Sequence, residues 1–385
     1  MSFGAHITSG DDFASLDEAL IGTLVEVRVE LEMDKAAKFA LRFEEDVCDN
    51  DLMAARHPAI RPGQKIGVFA PSDNELVCLV CGPITQTRSA ATTGGTGNWH
   101  EVHGLDRRVE MDRVEIQAAY EGRASDVVQQ ILDGYGFDTE VTETLRVYDA
   151  ADNKLTQRGS DLKFIEQVAT RNNMFLWITY ETTQPTLTAP NVGVTETAKM
   201  APSPPRNSSG SVPLPPVLSL SDAEVEIRVS PPPDQCPSVT RFEVDIDYER
   251  PNAAIGFAHD ARSGQTSEQQ AEPQDDPLAA EREGAGGIDA IERSVLSSTD
   301  SDPITQQLAQ EAEVTDAAWF VTVECSADVA QINKVIFPHD IVTVTSAGAQ
   351  LEGPYQVTKA LHVIRAEAHM TDFTIRANGL KETQA

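Results

Sequence analysis

The sequence predicts a mainly β chain of the α+β class, with two similar antiparallel β-barrel-like domains and a small α+β insertion domain. Three observations predict it. Segments such as Val25–Met33 and Phe242–Tyr248 alternate apolar and polar residues with period two, the pattern of a half-buried strand. Two short helix patterns, at 125–133 and 160–169, lead into an aromatic strand at 174–180. A proline-rich stretch then separates a second set of alternating segments from the first. The expected boundaries are 18–112 for the first β-domain, 113–182 for the insertion, 183–222 for a Pro/Ser/Thr-rich linker and 223–383 for the second β-domain. A polar, acidic and helical insertion at 251–316 interrupts the last of these.

The first β-domain opens on Val25-Glu26-Val27-Arg28-Val29-Glu30-Leu31-Glu32-Met33, whose charged face marks a strand packed on one side only. Lys38 to Phe43 offers a second strand. The turn Arg61-Pro62-Gly63-Gln64-Lys65 delivers a third at Ile66–Phe69. Leu76 to Ile84 and Trp99 to Leu105 supply two more, joined by the Gly94-Gly95-Thr96-Gly97 loop.

In the insertion, Ser125 reads as an N-cap, Asp126 suits the positive end of the helix, and Gly134 suits a left-handed stop. Ser160 caps the second helix, which runs through Asn172-Asn173 into Met174–Tyr180. Val128, Ile131 and Leu132, and likewise Leu162, Ile165 and Ala169, recur at helical spacing and are expected in a core.

The second β-domain alternates at Val225–Val229, Phe242–Tyr248, Trp319–Cys325, Ile341–Thr345, Tyr355–Thr358 onward to Ile364, and Phe373–Arg376. The stretch 182–216 contains Pro202-Ser203-Pro204-Pro205 and Pro213-Leu214-Pro215-Pro216. It reads as an extended linker unable to join a sheet. Residues 263–287 read as a mobile loop and 292–315 as surface helices.

Charge narrows the function. The 385 residues carry 30 basic and 61 acidic side chains, a net charge of −31, which argues against a nucleic-acid-binding surface. Five cysteines make no disulfide framework in a chain of this length. No stretch approaches the roughly 20 apolar residues of a membrane span, and the N-terminus shows no secretory signal.

No motif carries recognisable chemistry. Cys78-Leu79-Val80-Cys81 stands alone, and residues three apart on a strand should face opposite sides, so core cysteines are expected. His100 and His103 are three apart in a strand and are expected to be exposed, unlike the four-apart helical pair of zinc proteases. Asp245 and Asp247, beside Glu243 and Glu249, suit a solvated face or a subunit interface better than a divalent-ion site. The 94–98 loop lacks the Lys-Ser/Thr of a phosphate loop, and no nucleophile elbow appears. The sequence therefore reads as a non-enzyme with no cofactor.

Two patterns carry a resemblance. Ser160-Asp161-Leu162-x-Phe164-Ile165-x-x-Val168-Ala169 followed by an aromatic strand resembles the insertion domain of baseplate hub proteins of contractile phage tails. Gly353-x-Tyr355-x-Val357-Thr358 with a closing hairpin at 362–376 resembles the end of their second tube domain. That family includes the late control protein D group and the N-terminal hub region of type VI secretion spike proteins. The resemblance covers both β-regions and the insertion but not 251–313.

It implies a structural baseplate hub, a homotrimer whose two tube domains per chain form a pseudo-sixfold ring. The ring would join the hexameric tail tube to the trimeric spike. The implied partners are a tail tube protein, baseplate wedge proteins and, since the chain stops at Ala385, a separate spike protein. Assembly in a host cytoplasm follows, with no membrane insertion and no stable nucleic-acid binding as DNA passes the lumen. Interface or lumen candidates are the outward strand positions Glu26, Arg28, Glu30, Glu224, Glu226 and Arg228. The acidity suggests carboxylates that keep a polyanion from sticking. The rival readings are a particle-surface protein binding a glycan or receptor and a tail-associated peptidoglycan hydrolase.

Overall fold

A computed structural model describes residues 4–45, 53–91, 97–149, 154–186, 191–203, 225–251, 253–259, 266–271, 282–283, 294–296 and 303–381. Strands dominate, and most of them join one mainly antiparallel sheet of 13 strands.

Within that sheet a five-strand pattern occurs twice. Leu24–Glu32, Lys38–Glu45, Lys65–Ser72, Glu75–Ala90 and Asn98–Leu105 lie side by side in the spatial order third, fourth, fifth, second, first. Arg241–Ile246, Val321–Asp328, Ile341–Thr345, Gly353–Ile364 and His369–Ala377 lie in the same order. The likeness extends to a defect. The fourth strand of each set carries one extra residue opposite the fifth, Thr85 in one and Thr358 in the other. The first set is flanked by the antiparallel strand His6–Ser9, the second by the parallel strand Val225–Arg228.

The alternation read from the sequence sends one face of each set inward. Val27, Val29, Leu41, Phe43, Val68 and Val102 are fully buried in the first core. Ile227, Val323, Val342, Tyr355 and Ile375 are fully buried in the second. Close packing fixes one glycine in particular: a Cβ on Gly104 would lie 2.1 Å from Phe39 Cζ. Among the described residues neither set closes into a hydrogen-bonded barrel. In the second set the loop residue Ser238, just ahead of Arg241–Ile246, bonds back to the flanking strand: its Oγ accepts from Arg228 N–H at 2.7 Å while its N–H donates to Arg228 O at 2.9 Å.

The two sets share one ladder rather than standing apart. The first strand of the first set pairs antiparallel with the fourth strand of the second, from Glu32 opposite Lys359 to Val27 opposite Ile364. The expected counterpart of Val25–Met33 also changes. By strand order it is Arg241–Ile246, not Val225–Val229, which pairs in parallel at a sheet edge.

The insertion is a separate α+β core in which the helices Ala124–Gly134 and Asp161–Arg171 bury Val128, Leu132, Ile165 and Ala169 against Leu176, Ala198 and Met200. Ile131 and Leu162 pack partly buried at its margin. Ser160 caps as expected, its Oγ accepting from Lys163 N–H. Ser125 does not cap. The helix starts one residue earlier, and Ser125 N–H donates to Thr144 Oγ1 instead. The left-handed residue after it is Gly136, not Gly134.

Three further expectations change. Within the supposed linker, Gly193–Ala201 is a strand between Asp138–Val141 and Phe175–Thr183, with Glu196, Ala198 and Met200 facing inward. Residues 204–224 lie outside the described residues. Within the supposed mobile loop, Thr266–Ala271 pairs with Ala253–His259. The helical stretch is one helix, Pro303–Ala317, whose Gln306 and Gln310 are buried with their amide ends against Gly256.

Candidate functional site

Where the two strand sets meet, the outer face of the sheet carries a grid of opposite charges. It follows from period-two alternation: with Val27, Val29 and Leu31 directed into the core, Glu26, Arg28, Glu30 and Glu32 must point out. The second strand set contributes Lys359 and Arg365 from across the seam. Arg365 Nη2 lies 2.6 Å from Glu26 Oε2, and Arg28 Nε lies 2.5 Å from Glu26 Oε1. Lys359 Nζ reaches Glu30 Oε1 at 3.1 Å and Glu32 Oε2 at 3.7 Å. Lys38 adds a looser contact to Glu30 at 3.7 Å, and Arg42 pairs with Glu44 at 3.0 Å while covering the Trp99 ring.

These pairs shape the titration. Partial burial works against ionisation of Glu26, but Arg365 and Arg28 overcome it and hold the carboxyl below its usual range. The hydrogen bond from Lys359 does the same for Glu30, and Glu30 in turn raises Lys359. The carboxylates of this face therefore have cationic neighbours, so a single chain presents here a mixed surface rather than a bare acidic wall.

The other site candidates sit elsewhere. Glu226 accepts from Thr345 Oγ1 at 2.9 Å and pairs with Arg228 at 3.3 Å. Arg228 Nε also donates to Cys236 O. They lie at the far edge of the second set, and Glu224 is outside the described residues. The true counterparts of Glu26, Arg28 and Glu30, matched through the ladders, are Arg241, Glu243 and Asp245. Arg241 binds Glu243 at 2.6 Å and Glu324 at 2.9 Å. The sequence signal for them was present in the alternation of 242–248, but an insertion of some 70 residues hides the strand order.

The insertion is clamped to the first set by a second ionic group. Glu196 takes Arg107 Nη1 at 2.5 Å and Lys65 Nζ at 3.2 Å. Arg108 is buried on Asp106, with Nη2 2.7 Å from Oδ2, and also donates to the Leu176 and Lys35 carbonyls. One residue thus ties three segments together.

The motif residues resolve simply. Cys78 and Cys81 are both buried, as expected, but on the same side. An extra residue at Leu79, where Phe69 pairs with Cys78 and Val68 with Val80, resets the alternation. Burial pushes both thiols up, away from reactivity. His100 is buried rather than exposed and pairs with Ser89 Oγ at 2.8 Å, and burial lowers its pKa. His103 is half-buried against Glu101. Among the described residues no group of three or more His, Cys, Asp or Glu is placed to hold a metal ion. No helix among them is long and apolar enough to cross a membrane.

No protein-family model matches the chain, and no curated protein matches it by sequence. Solved structures do. A tail protein from Neisseria meningitidis MC58 superposes over 99% of this chain and 98% of its own, with a TM-score of 0.60 at 9% identity. The 43 kDa tail protein of prophage MuSo2 from Shewanella oneidensis gives 0.63 at 10% identity, over 97% of this chain and 98% of its own.

The chain has a phage tail-protein fold.

The same fold reaches into secretion systems. An Escherichia coli type VI secretion component, described as similar to the T4 tail proteins gp27 and gp5, matches over 94% of this chain and 76% of its own. Its TM-score is 0.52 at 11% identity. The tail-protein fold accounts for the described β-regions and the insertion together, since these matches run along nearly the whole chain.

Proposed function

We propose that the chain is the structural hub of a contractile tail baseplate or injection particle, a homotrimer that presents a pseudo-sixfold ring between a hexameric tube and a trimeric spike. The repeated strand order carries this reading. Two like strand sets per chain make three chains into six like units, which is how a threefold assembly can match a sixfold one. The solved relatives with tail-protein folds support it.

The seam inside the chain suggests the seam between chains. Within one chain, the first strand of set one adds to the outer half of the fourth strand of set two. Among the described residues the first strand of set two, Arg241–Ile246, has a partner on one side only. The outer half of the fourth strand of set one, near 86–90, likewise pairs on one side only among the described residues and is largely exposed. If the junction repeats, Arg241–Ile246 of one copy joins 86–90 of the next. Carrying the register across from Thr358 to Thr85 puts Asp245 opposite Arg88. Three such junctions close a ring. Tube, spike and wedge proteins are then the partners, and the role needs no catalysis.

Electron microscopy of purified particles tests the reading. Rings with six similar lobes around a channel support it; particles without a channel oppose it.

A further inference from the structure

The two first strands differ on their inward faces. In Leu24–Glu32, Val27 and Val29 are fully buried and Leu31 is 6% exposed. Their counterparts through the ladders, Phe242, Val244 and Ile246, pack against the second core but stay only partly buried. The neighbouring strand makes the difference. Ala360, His362 and Ile364 run opposite Leu31, Val29 and Val27, and all three are fully buried. Among the described residues no strand lies beside Phe242, Val244 and Ile246 on the matching side.

The turn after each first strand repeats as well. Glu32-Met33-Asp34-Lys35 and Asp247-Tyr248-Glu249-Arg250 share the order acid, large side chain, acid, base. In each, the first acid pairs with the base, at 2.5 Å and 3.7 Å. Met33 is 8% exposed, and its N–H donates to the carbonyl of the bulge residue Thr358 at 2.9 Å. Tyr248, in the same place, is 56% exposed. Covering such a ring removes apolar area from water, the main drive of association.

We propose, resting on the hub reading, that another copy of this chain completes the second core, its strand 86–90 burying Phe242, Val244, Ile246 and Tyr248. The register of the internal seam puts Ile246 opposite Thr87, Val244 opposite Ser89 and Phe242 opposite Ala91. Thr87 and Ser89 stand on the inward face, across from the buried Val102 and His100. Sizes compensate: Val27 meets Ile364 within one chain, and the larger Phe242 meets the smaller Ala91 between copies. Tyr248 takes the part of Met33, its N–H directed to the Thr85 carbonyl of the next copy.

A disulfide tests the register. Gln86 of one copy falls opposite Asp247 of the next, as Lys359 falls opposite Glu32 within one chain. Opposed residues on antiparallel strands have Cα atoms about 4.5–5.5 Å apart, within reach of a disulfide. The oxidised Gln86→Cys/Asp247→Cys variant should run as a covalent species of three chains on a non-reducing denaturing gel, and each single variant as one chain. Tyr248→Ala should weaken association about tenfold or more in sedimentation velocity, the loss of a buried aromatic anchor. Val114→Ala, at an exposed apolar position on the insertion, should leave association unchanged. Trimers by light scattering that do not crosslink, or that are indifferent to Tyr248→Ala, overturn the proposal and leave the hub reading standing. A monomer at every concentration overturns both.

Discussion

Thr85 and Thr358 hold the same position in two separate strand sets. Each is the extra residue of the fourth strand, and each hydroxyl donates to a carbonyl of the fifth, to His103 O at 3.4 Å and to Thr374 O at 3.2 Å. Two bulges with the same residue and the same acceptor mark a repeated unit more firmly than periodicity does. A bulge re-aims the strand, and here the re-aimed half is the half that meets, or is free to meet, a neighbouring first strand.

Replacing either threonine by valine keeps the shape and removes the hydroxyl. Each change should cost about 1 kcal/mol in urea unfolding. The effect of Thr358→Val should be the larger, because Thr358 is half-buried and Thr85 exposed. Equal stability of both variants and the native chain would remove the hydroxyls from the account of the bulge.

Arg108→Met should cost about 3–5 kcal/mol, the penalty for leaving the buried Asp106 without its partner. Arg365→Ala removes an exposed partner of Glu26 and should cost at most about 1 kcal/mol. Thermal unfolding of the two variants side by side checks the contrast.

Stability should fall on acidification below the usual histidine range. His362 Nδ1 and His369 Nε2 lie 3.1 Å apart, and burial first, then His369, lowers His362 to about 3; burial lowers His369 to about 4. Between pH 6.5 and about 4 the unfolded chain binds protons that the folded pair refuses, so the stabilisation complete above 6.5 is lost as pH falls. The His362→Gln/His369→Gln variant should show a flatter pH profile in denaturant melts; an unchanged slope would contradict the assignment.

Much of this was legible in the residues. Alternation located the strands of both sets, and Ser160 marked its helix start, because these signals are local. What was hidden is long-range or one residue wide. Cys78 and Cys81 share a side only through the extra residue Leu79, and no residue preference announces a bulge there. The strand Gly193–Ala201 alternates correctly at Glu196, Ala198 and Met200, but neighbouring prolines masked it. The seam residues Glu26, Arg28 and Glu30 were found as an outward stripe. Their partners Lys359 and Arg365, over 300 positions away in sequence, needed the sheet. The matching stripe Arg241, Glu243 and Asp245 needed the strand order.

The proposed junction between copies predicts a charge swap. Arg88→Glu should weaken self-association by placing like charges opposite Asp245, and the double variant Arg88→Glu/Asp245→Lys should restore it. Sedimentation velocity on the three proteins checks this; indifference to both changes would place the junction elsewhere.

Light scattering across a concentration series measures the mass on which the hub reading depends most directly. Three chains of 41.7 kDa, about 125 kDa in all, are predicted as a stable species. A monomer at every concentration would contradict a ring closed by the chain's own edges.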